Sequence, residues 1–165
     1  MTVNLIPCSR ENWLEAISLN VHNDQAGFVP SAAVSLAKVH IKPDGDNVTY
    51  LPFCIYHEHT MVGFIMHAFE EDTENMFWIN GFFIDVRYQK KGYGQSALFQ
   101  MINYICSHFP KCKEIRLTVH KNNSTARMLY EKIGFKATGE VWDFEVVMAL
   151  PIVNGLSKLL KGGYK

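Results

Sequence analysis

Apolar positions along the chain switch repeatedly between strict alternation and a three-to-four-residue beat, and the switches mark out the elements. Val3 to Ile6 is a short apolar run stopped by Pro7 and predicts an opening strand. Ser9 is placed to cap a helix running to about Leu19, with Trp13, Leu14 and Ile17 on one face. The polar stretch Asn23 to Gly27 breaks it. Pro30-Ser31 then starts a second short helix through about Val39, carrying Val34, Leu36 and Ala37. Pro43 to Asp46 is a turn cluster. Val48 to Tyr56 and Val62 to Phe69 are β-rich runs joined by the polar His57 to Thr60, which predicts a hairpin.

Glu70 to Asn75 is an acidic loop. Met76 to Val86 follows as an apolar run too continuous for a surface strand, and so predicts a central one. From Gly94 the beat becomes helical, with Leu98, Met101, Ile102 and Ile105 on one face, up to Pro110. Ile115, Leu117 and Val119 alternate as a strand. Asn123 or Ser124 caps a further helix ending at Ile133, with Gly134 just past its end. Phe144 to Leu150 predicts a last strand. The tail Pro151 to Lys165 is weakly amphipathic and predicts either partial disorder or a peripheral helix. The order β-α-α-β-β-β-α-β-α-β is a mixed α/β pattern without repeats or an interdomain linker. It predicts a single domain over residues 1–150 with a tail at 151–165.

Composition narrows the function. In 165 residues, 16 Lys and Arg balance 16 Asp and Glu, which argues against a nucleic-acid partner held by counterion release. No apolar run approaches a membrane span, and the first residues carry no secretory signal, so a cytoplasmic location away from membranes is expected. Cys8, Cys54, Cys106 and Cys112 show no C-x-x-C spacing and read as reduced cysteines in or near the core. His57 and His59 share a strand face but have no third partner at suggestive spacing, so no metal site is expected.

The chemistry concentrates after the central strand. Phe82-Phe83-Ile84-Asp85-Val86-Arg87-Tyr88-Gln89-Lys90-Lys91-Gly92-Tyr93-Gly94 is a buried strand feeding a loop whose glycines stand two apart at the mouth of a helix. Glycines admit close backbone approach, and free N–H groups at a helix start favour an anion such as a phosphate. One strand further on comes Asn123-x-x-Ala126-x-x-x-Tyr130-x-x-x-Gly134-Phe135. Asn123 and Tyr130 are seven residues apart, about two turns, and share a helix face. Tyr130 reads either as a phenol able to protonate a leaving group or as an amphipathic core aromatic.

The pairing of Q-x-x-G-x-G (Gln89 to Gly94) with N-x-x-A-x-x-x-Y-x-x-x-G-F (Asn123 to Phe135) resembles the GNAT superfamily of acyl-CoA-dependent N-acetyltransferases. The strand and loop F-F-I-D-V-R-Y-Q-K-K-G-Y-G, approached through Met76-Phe77-Trp78, is similar to its bacterial diamine and spermine/spermidine branch. The resemblance spans residues 3–150. It implies a mixed, splayed sheet of six or seven strands with about four helices, and acetyl-CoA as co-substrate without a metal. It places the pantetheine arm on Phe82, Phe83, Ile84 and Val86. The pyrophosphate falls on Gln89, Lys90, Lys91, Gly92, Tyr93, Gly94 and Gln95, with Asn123 and Ala126 along the arm and Tyr130 as donor to the departing thiolate.

The same resemblance implies acetyl transfer to a primary amine, a polyamine first. Another small amine, an antibiotic, a protein N-terminus or a non-catalytic acyl-CoA sensor remain as alternatives, and a homodimer is compatible. Glu58, Glu70, Glu71, Asp72, Glu74 and Trp78 are the candidates facing a polycation, although an acidic loop also reads as a solvated surface. Asn80-Gly81 departs from the acidic-basic pair that similar polyamine enzymes often carry before F-F-I-D. A bulge in the central strand would offer a backbone N–H to an oxyanion.

Overall fold

The computed structural model describes residues 1–153. The expectation for the rest of the tail lies outside the described residues. One seven-stranded sheet organises them: β1 (Asn4–Pro7), β2 (Val48–His57), β3 (Thr60–Glu70), β4 (Phe77–Ile84), β5 (Glu114–His120), β6 (Lys136–Trp142) and β7 (Glu145–Pro151). Their spatial order is β1-β2-β3-β4-β5-β7-β6, and each neighbouring pair is antiparallel except β4 and β5. Helices α1 (Trp13–Ser18) and α2 (Ala32–Ile41) precede the β2–β3 hairpin. Helix α3 (Tyr93–His108) links β4 to β5, and α4 (Ser124–Ile133) links β5 to β6. This is the mixed α/β architecture that the alternating periods imply.

Two apolar layers hold the helices to opposite faces. On one face Leu98, Met101, Ile102 and Ile105 of α3 pack with Ile65, Phe77, Ile115 and Leu117 of the sheet, and Tyr130 and Phe135 extend this layer past α4. Leu98, Met101, Ile102 and Ile105 are fully buried, each stabilising the fold by roughly 1.5–3 kcal/mol. On the other face Ala16, Leu19 and Ala32 cover Tyr50, Cys54, Phe64, Met66 and Phe83.

Two expectations need correction. The first helix begins at Trp13, because Ser9 and Asn12 form a local turn ahead of it. Ser9 N donates to Asn12 Oδ1 at 2.8 Å and Glu11 N to Ser9 Oγ at 3.3 Å. Strand β6 has no counterpart in the predicted order. Each of its residues is exposed and it sits at the sheet edge, with Gly139 at φ +95° and a register shift between Ala137 and Val141. A strand with neither face buried leaves no alternation in its sequence.

Strand β4 carries the feature that shapes the site. Against β3, Phe64 faces Phe83 and Met66 faces Asn80, so Gly81 and Phe82 together oppose Ile65. This is a β-bulge, with Gly81 at φ +60°. It switches the faces of the strand. Before it, Phe77 and Ile79 point to the α3 layer and Trp78 to the α2 layer; after it, Phe82 and Ile84 face α3 and Phe83 faces α2. The unbroken apolar run of the sequence is this change of phase.

Candidate active site

Strands β4 and β5 run side by side but stand in register only at Trp78 and Arg116 among the described residues. Past that pair they part, and a cavity of about 500 Å³ opens between them. Phe82, Phe83 and Ile84 form one wall, Thr118 and Val119 another, and Asn123, Ala126, Leu129 and Tyr130 of α4 a third. With no partner strand alongside, the β5-facing backbone edge of β4 beyond Trp78 is free to pair with an extended ligand.

The glycine loop closes one end. Asp85 ends β4 and is 1% exposed, taking Asn20 N at 2.9 Å and Arg87 Nε at 2.7 Å. Burial pushes its carboxyl up, but the bonds from Arg87 and Asn20 outweigh this and hold it below the usual range. Gln89 Nε2 bonds Ile84 O at 3.0 Å and Gln25 Oε1 at 2.9 Å, so this side chain braces the loop and ties it to the segment after α1. Lys90 and Gly92 both have positive φ, 62° and 85°. Helix α3 then starts at Tyr93 with no side-chain cap, and Ser96 N is the N–H that reaches Gly92 O. The first N–H groups of α3 therefore lack intrahelical partners and form an anion cradle. A Cβ on Gly94 would meet Leu129 Cδ2 at 3.4 Å and Phe82 Cζ at 3.6 Å, so glycine keeps this wall of the cavity thin.

Of the positions predicted to hold a cofactor, Phe82, Phe83, Ile84, Gln89, Lys90, Gly92, Tyr93, Gly94, Gln95, Asn123, Ala126 and Tyr130 line this one cavity. Val86 and Lys91 do not. Val86 N is occupied by Asn20 O at 2.8 Å, and the exposed Lys91 places its ammonium 5.7 Å from the Tyr88 ring centre. Asn123 Oδ1 caps α4 by accepting from Ala126 N at 3.2 Å, which leaves its amide N–H₂ for other partners. Tyr130 is 7% exposed, and its ring packs edge-on to Phe135 at 6.0 Å. Desolvation first, and the negative charge of Glu145 second, push its phenol well above the usual value. The hydroxyl therefore keeps its proton at neutral pH.

A second cavity of about 330 Å³ adjoins the first and shares Lys38, Ile79, Asn80, Thr118 and Glu145 with it. Asp44, Glu70, Trp78 and Trp142 complete most of its wall. Trp78 and Trp142 stand 5.3 Å apart, and the Arg116 guanidinium lies 5.9 Å from the Trp78 ring centre. Predicted substrate contacts divide here: Glu70 and Trp78 line the cavity, while Glu58 and Glu71 do not. Glu58 sits in the turn at the opposite end of the β2–β3 hairpin, and Glu71 is exposed beyond the end of β3. Asp72 and Glu74 pair with Lys111 at 2.6 Å and Lys113 at 2.7 Å on the surface.

Sequence reading missed Asp44, Asn80, Thr118, Trp142 and Glu145 as wall residues, together with Phe28, which covers the larger cavity against His120 at 5.0 Å. The available signal was small: Glu145 is the one charged residue in an otherwise apolar last strand. His57, one of the paired histidines, packs against Tyr93 at 5.1 Å and bonds Thr2 O at 3.0 Å through Nδ1.

Comparison with known proteins agrees with this geometry. The model of the Acetyltransferase (GNAT) family matches residues 14–135. The chain belongs to the GNAT acetyltransferase family. Within it, the chain is 32% identical over 146 residues to the spermine/spermidine N(1)-acetyltransferase of Bacillus subtilis (strain 168), covering 86% of this chain and 92% of that protein. The GNAT fold is shared with the spermidine N-acetyltransferase from Vibrio cholerae in complex with CoA and spermine, at TM-score 0.71 and 17% identity over 95% of this chain and 98% of that one. It is also shared with Mycobacterium smegmatis RimJ in complex with CoA-disulfide, at TM-score 0.73 and 16% identity over 98% and 89%. Among the described residues of this GNAT acetyltransferase, no helix is long and apolar enough to cross a membrane.

Proposed function

We propose that this GNAT acetyltransferase moves an acetyl group from acetyl-CoA to a primary amine of a polyamine of the spermidine or spermine kind. The observation that carries the reading is the pair of adjoining cavities with Tyr130 in the wall of the first and three carboxylates, Asp44, Glu70 and Glu145, against the single ammonium of Lys38 in the wall of the second. The names of the Bacillus subtilis and Vibrio cholerae relatives support the polyamine.

The residues fit the co-substrate. The uncapped start of α3 suits the pyrophosphate, and the free edge of β4 suits a pantetheine arm laid as a pseudo-strand. Acetyl-CoA, when bound, supplies a thioester whose carbonyl carbon is the electrophile. A backbone N–H released from the ladder by the Gly81–Phe82 bulge suits the developing oxyanion. Tyr130 gives its phenolic proton to the departing thiolate. The incoming nitrogen must first be neutral, and an alkyl ammonium titrates near ~10.4, so the site needs a group to take its proton. None of the four cysteines lines either cavity, so this reading assigns no cysteine nucleophile.

The test is CoA release by the purified full chain with acetyl-CoA and a panel of amines: spermine, spermidine, putrescine, an aminoglycoside and a peptide N-terminus. Release fastest with spermine or spermidine is expected. Release only with the aminoglycoside or the peptide would move the substrate class, and binding of acetyl-CoA with no release for any amine would make the protein a sensor.

A further inference from the structure

The two cavities meet at a neck formed by Asn80, Thr118 and Glu145, and the neck holds polar groups with spare capacity. Thr118 Oγ1 donates to Glu145 Oε2 at 3.1 Å, which fixes the carboxylate and leaves its other oxygen free. Asn80 Oδ1 is buried with no hydrogen-bond partner among the described residues, an expensive state for an amide oxygen. Both side chains line both cavities. Glu145 is also close enough to Tyr130 for its charge to raise the phenol. A carboxylate and the leaving-group donor thus flank one opening.

The far end of the smaller cavity is acidic as well. Glu70 N bonds Met76 O at 3.0 Å, which sets Glu70 beside the start of β4. Asn80 lies four residues further along that strand, about 13 Å away at the usual rise. Asp44 is held near the same end by Tyr50, whose buried hydroxyl donates to its carboxylate at 2.5 Å. Between the two ends stand Trp78 and Trp142, whose faces suit alkyl segments and ammonium groups.

We infer that Glu145 takes the proton of the reacting amine at the neck, with Asn80 Oδ1 accepting one of its two remaining N–H groups, and that Asp44 and Glu70 hold a second ammonium of the same molecule at the far end. This rests on the acetyl-transfer reading above and makes the site selective for long linear polyamines. Protons balance across the step. The ammonium gives one proton to Glu145 and the freed lone pair forms the C–N bond; the C–S bond breaks and the thiolate takes the Tyr130 proton. The second proton that the nitrogen must lose to become an amide restores the Tyr130 phenol, and Glu145 releases its proton to solvent. The charged and titratable groups facing Glu145 are Lys38 across both cavities, Tyr130 from α4, His120 directly opposite on β5, and Asp44 and Glu70 at the far end of the smaller cavity.

The test compares the full chain with Glu145→Gln, Glu70→Gln and the double variant Asp44→Asn with Glu70→Gln. Single-turnover rates and kcat/KM are measured for spermidine and for butylamine from pH 6 to 10. Melting and acetyl-CoA calorimetry identify variants that fail to fold. Glu145→Gln should lower the single-turnover rate on the order of 10²-fold near pH 7. The deficit should shrink toward pH 10, where free amine becomes abundant, while acetyl-CoA still binds. Glu70→Gln and the double variant should lower the ratio of kcat/KM for spermidine over butylamine by ten-fold or more. A folded Glu145→Gln variant with a wild-type rate overturns the proton-acceptor role. An unchanged spermidine to butylamine ratio in folded Glu70→Gln overturns the second subsite. A wild-type chain that releases no CoA with any amine would instead fail the acetyl-transfer reading itself.

Discussion

Trp78 and Arg116 are the pair at which β4 and β5 still stand in register, and the site begins where their pairing stops. On the Glu70 side of that pair lies the acidic, tryptophan-lined cavity; on the other, the cleft that ends on the glycine loop. Two cavities that share a neck allow two substrates to enter from different sides and meet. That arrangement matches direct transfer better than a covalent enzyme intermediate.

Gly81 is the hinge of this arrangement, and its replacement is the first prediction. Its φ of +60° disfavours any side chain, and a Cβ there would stand 2.6 Å from Ser35 Oγ, itself buried without a partner among the described residues. Gly81→Ala should cost about 1–3 kcal/mol of stability. The double variant Gly81→Ala with Ser35→Ala relieves the hydroxyl clash and should recover part of it. Urea unfolding decides: equal midpoints for the wild type and Gly81→Ala would mean that the bulge is not held by the glycine.

Gly92 tests the anion cradle. Its φ is +85° but none of the described residues lies within 4 Å of a Cβ built there, so a side chain would be strained rather than crowded and would project over the start of α3. Gly92→Val should lose on the order of 1–2 kcal/mol and bind acetyl-CoA at least ten-fold more weakly. Gly94→Val lacks the positive φ and should weaken binding with a smaller loss of stability. Unchanged calorimetric affinity in both variants would remove the pyrophosphate from this loop.

The parts of the molecule that the sequence displays are the locally coded ones. Leu98, Met101, Ile102 and Ile105 announce α3 because one helix face is buried along its whole length. The Gln89–Gly94 and Asn123–Phe135 motifs are legible because each forms its part of the cleft within a few consecutive residues. The smaller cavity is different. Asp44 follows α2, Trp142 ends an exposed edge strand and Glu145 opens the next, so only the sheet order brings them to Trp78. Glu58 and Glu71 looked equivalent to Glu70 by charge alone, and it is the hairpin register that separates them.

His67 supplies a pH prediction independent of the chemistry. It is fully buried, stacked on Phe69 at 5.0 Å, with Nδ1 3.0 Å from Trp78 O. Desolvation lowers it from 6.5 to about 4. Between those values the unfolded chain binds a proton that the folded chain refuses. The stabilisation is therefore complete above pH 6.5 and is lost as pH falls toward 4, by on the order of 3 kcal/mol. His67→Phe keeps the ring stack, loses the hydrogen bond, and should flatten this acid limb even though it is less stable at pH 7. Stability curves of identical steepness between pH 7 and 4 would show that His67 does not titrate with unfolding.

Tyr130 is the decisive residue for the chemistry. Its ring belongs to the α3 layer and its hydroxyl to the cleft, so Tyr130→Phe separates packing from proton donation. The packing against Phe135 should survive, and stability should change by less than about 1 kcal/mol. Acetyl-CoA affinity should stay near wild type, because the proposed role of the hydroxyl is on the leaving sulfur and not on the phosphates. The acetyl-transfer step should slow on the order of 10²-fold, the lower end for a general acid, since water replaces part of its action. Product release hides such a change when it limits turnover, so the measurement is a single turnover with enzyme in excess over acetyl-CoA. Tyr130→Phe should leave the rise of the single-turnover rate with pH in place, because that rise belongs to the amine and the desolvated phenol stays protonated throughout it. A full-rate Tyr130→Phe enzyme under these conditions would reduce Tyr130 to an aromatic at the edge of the core.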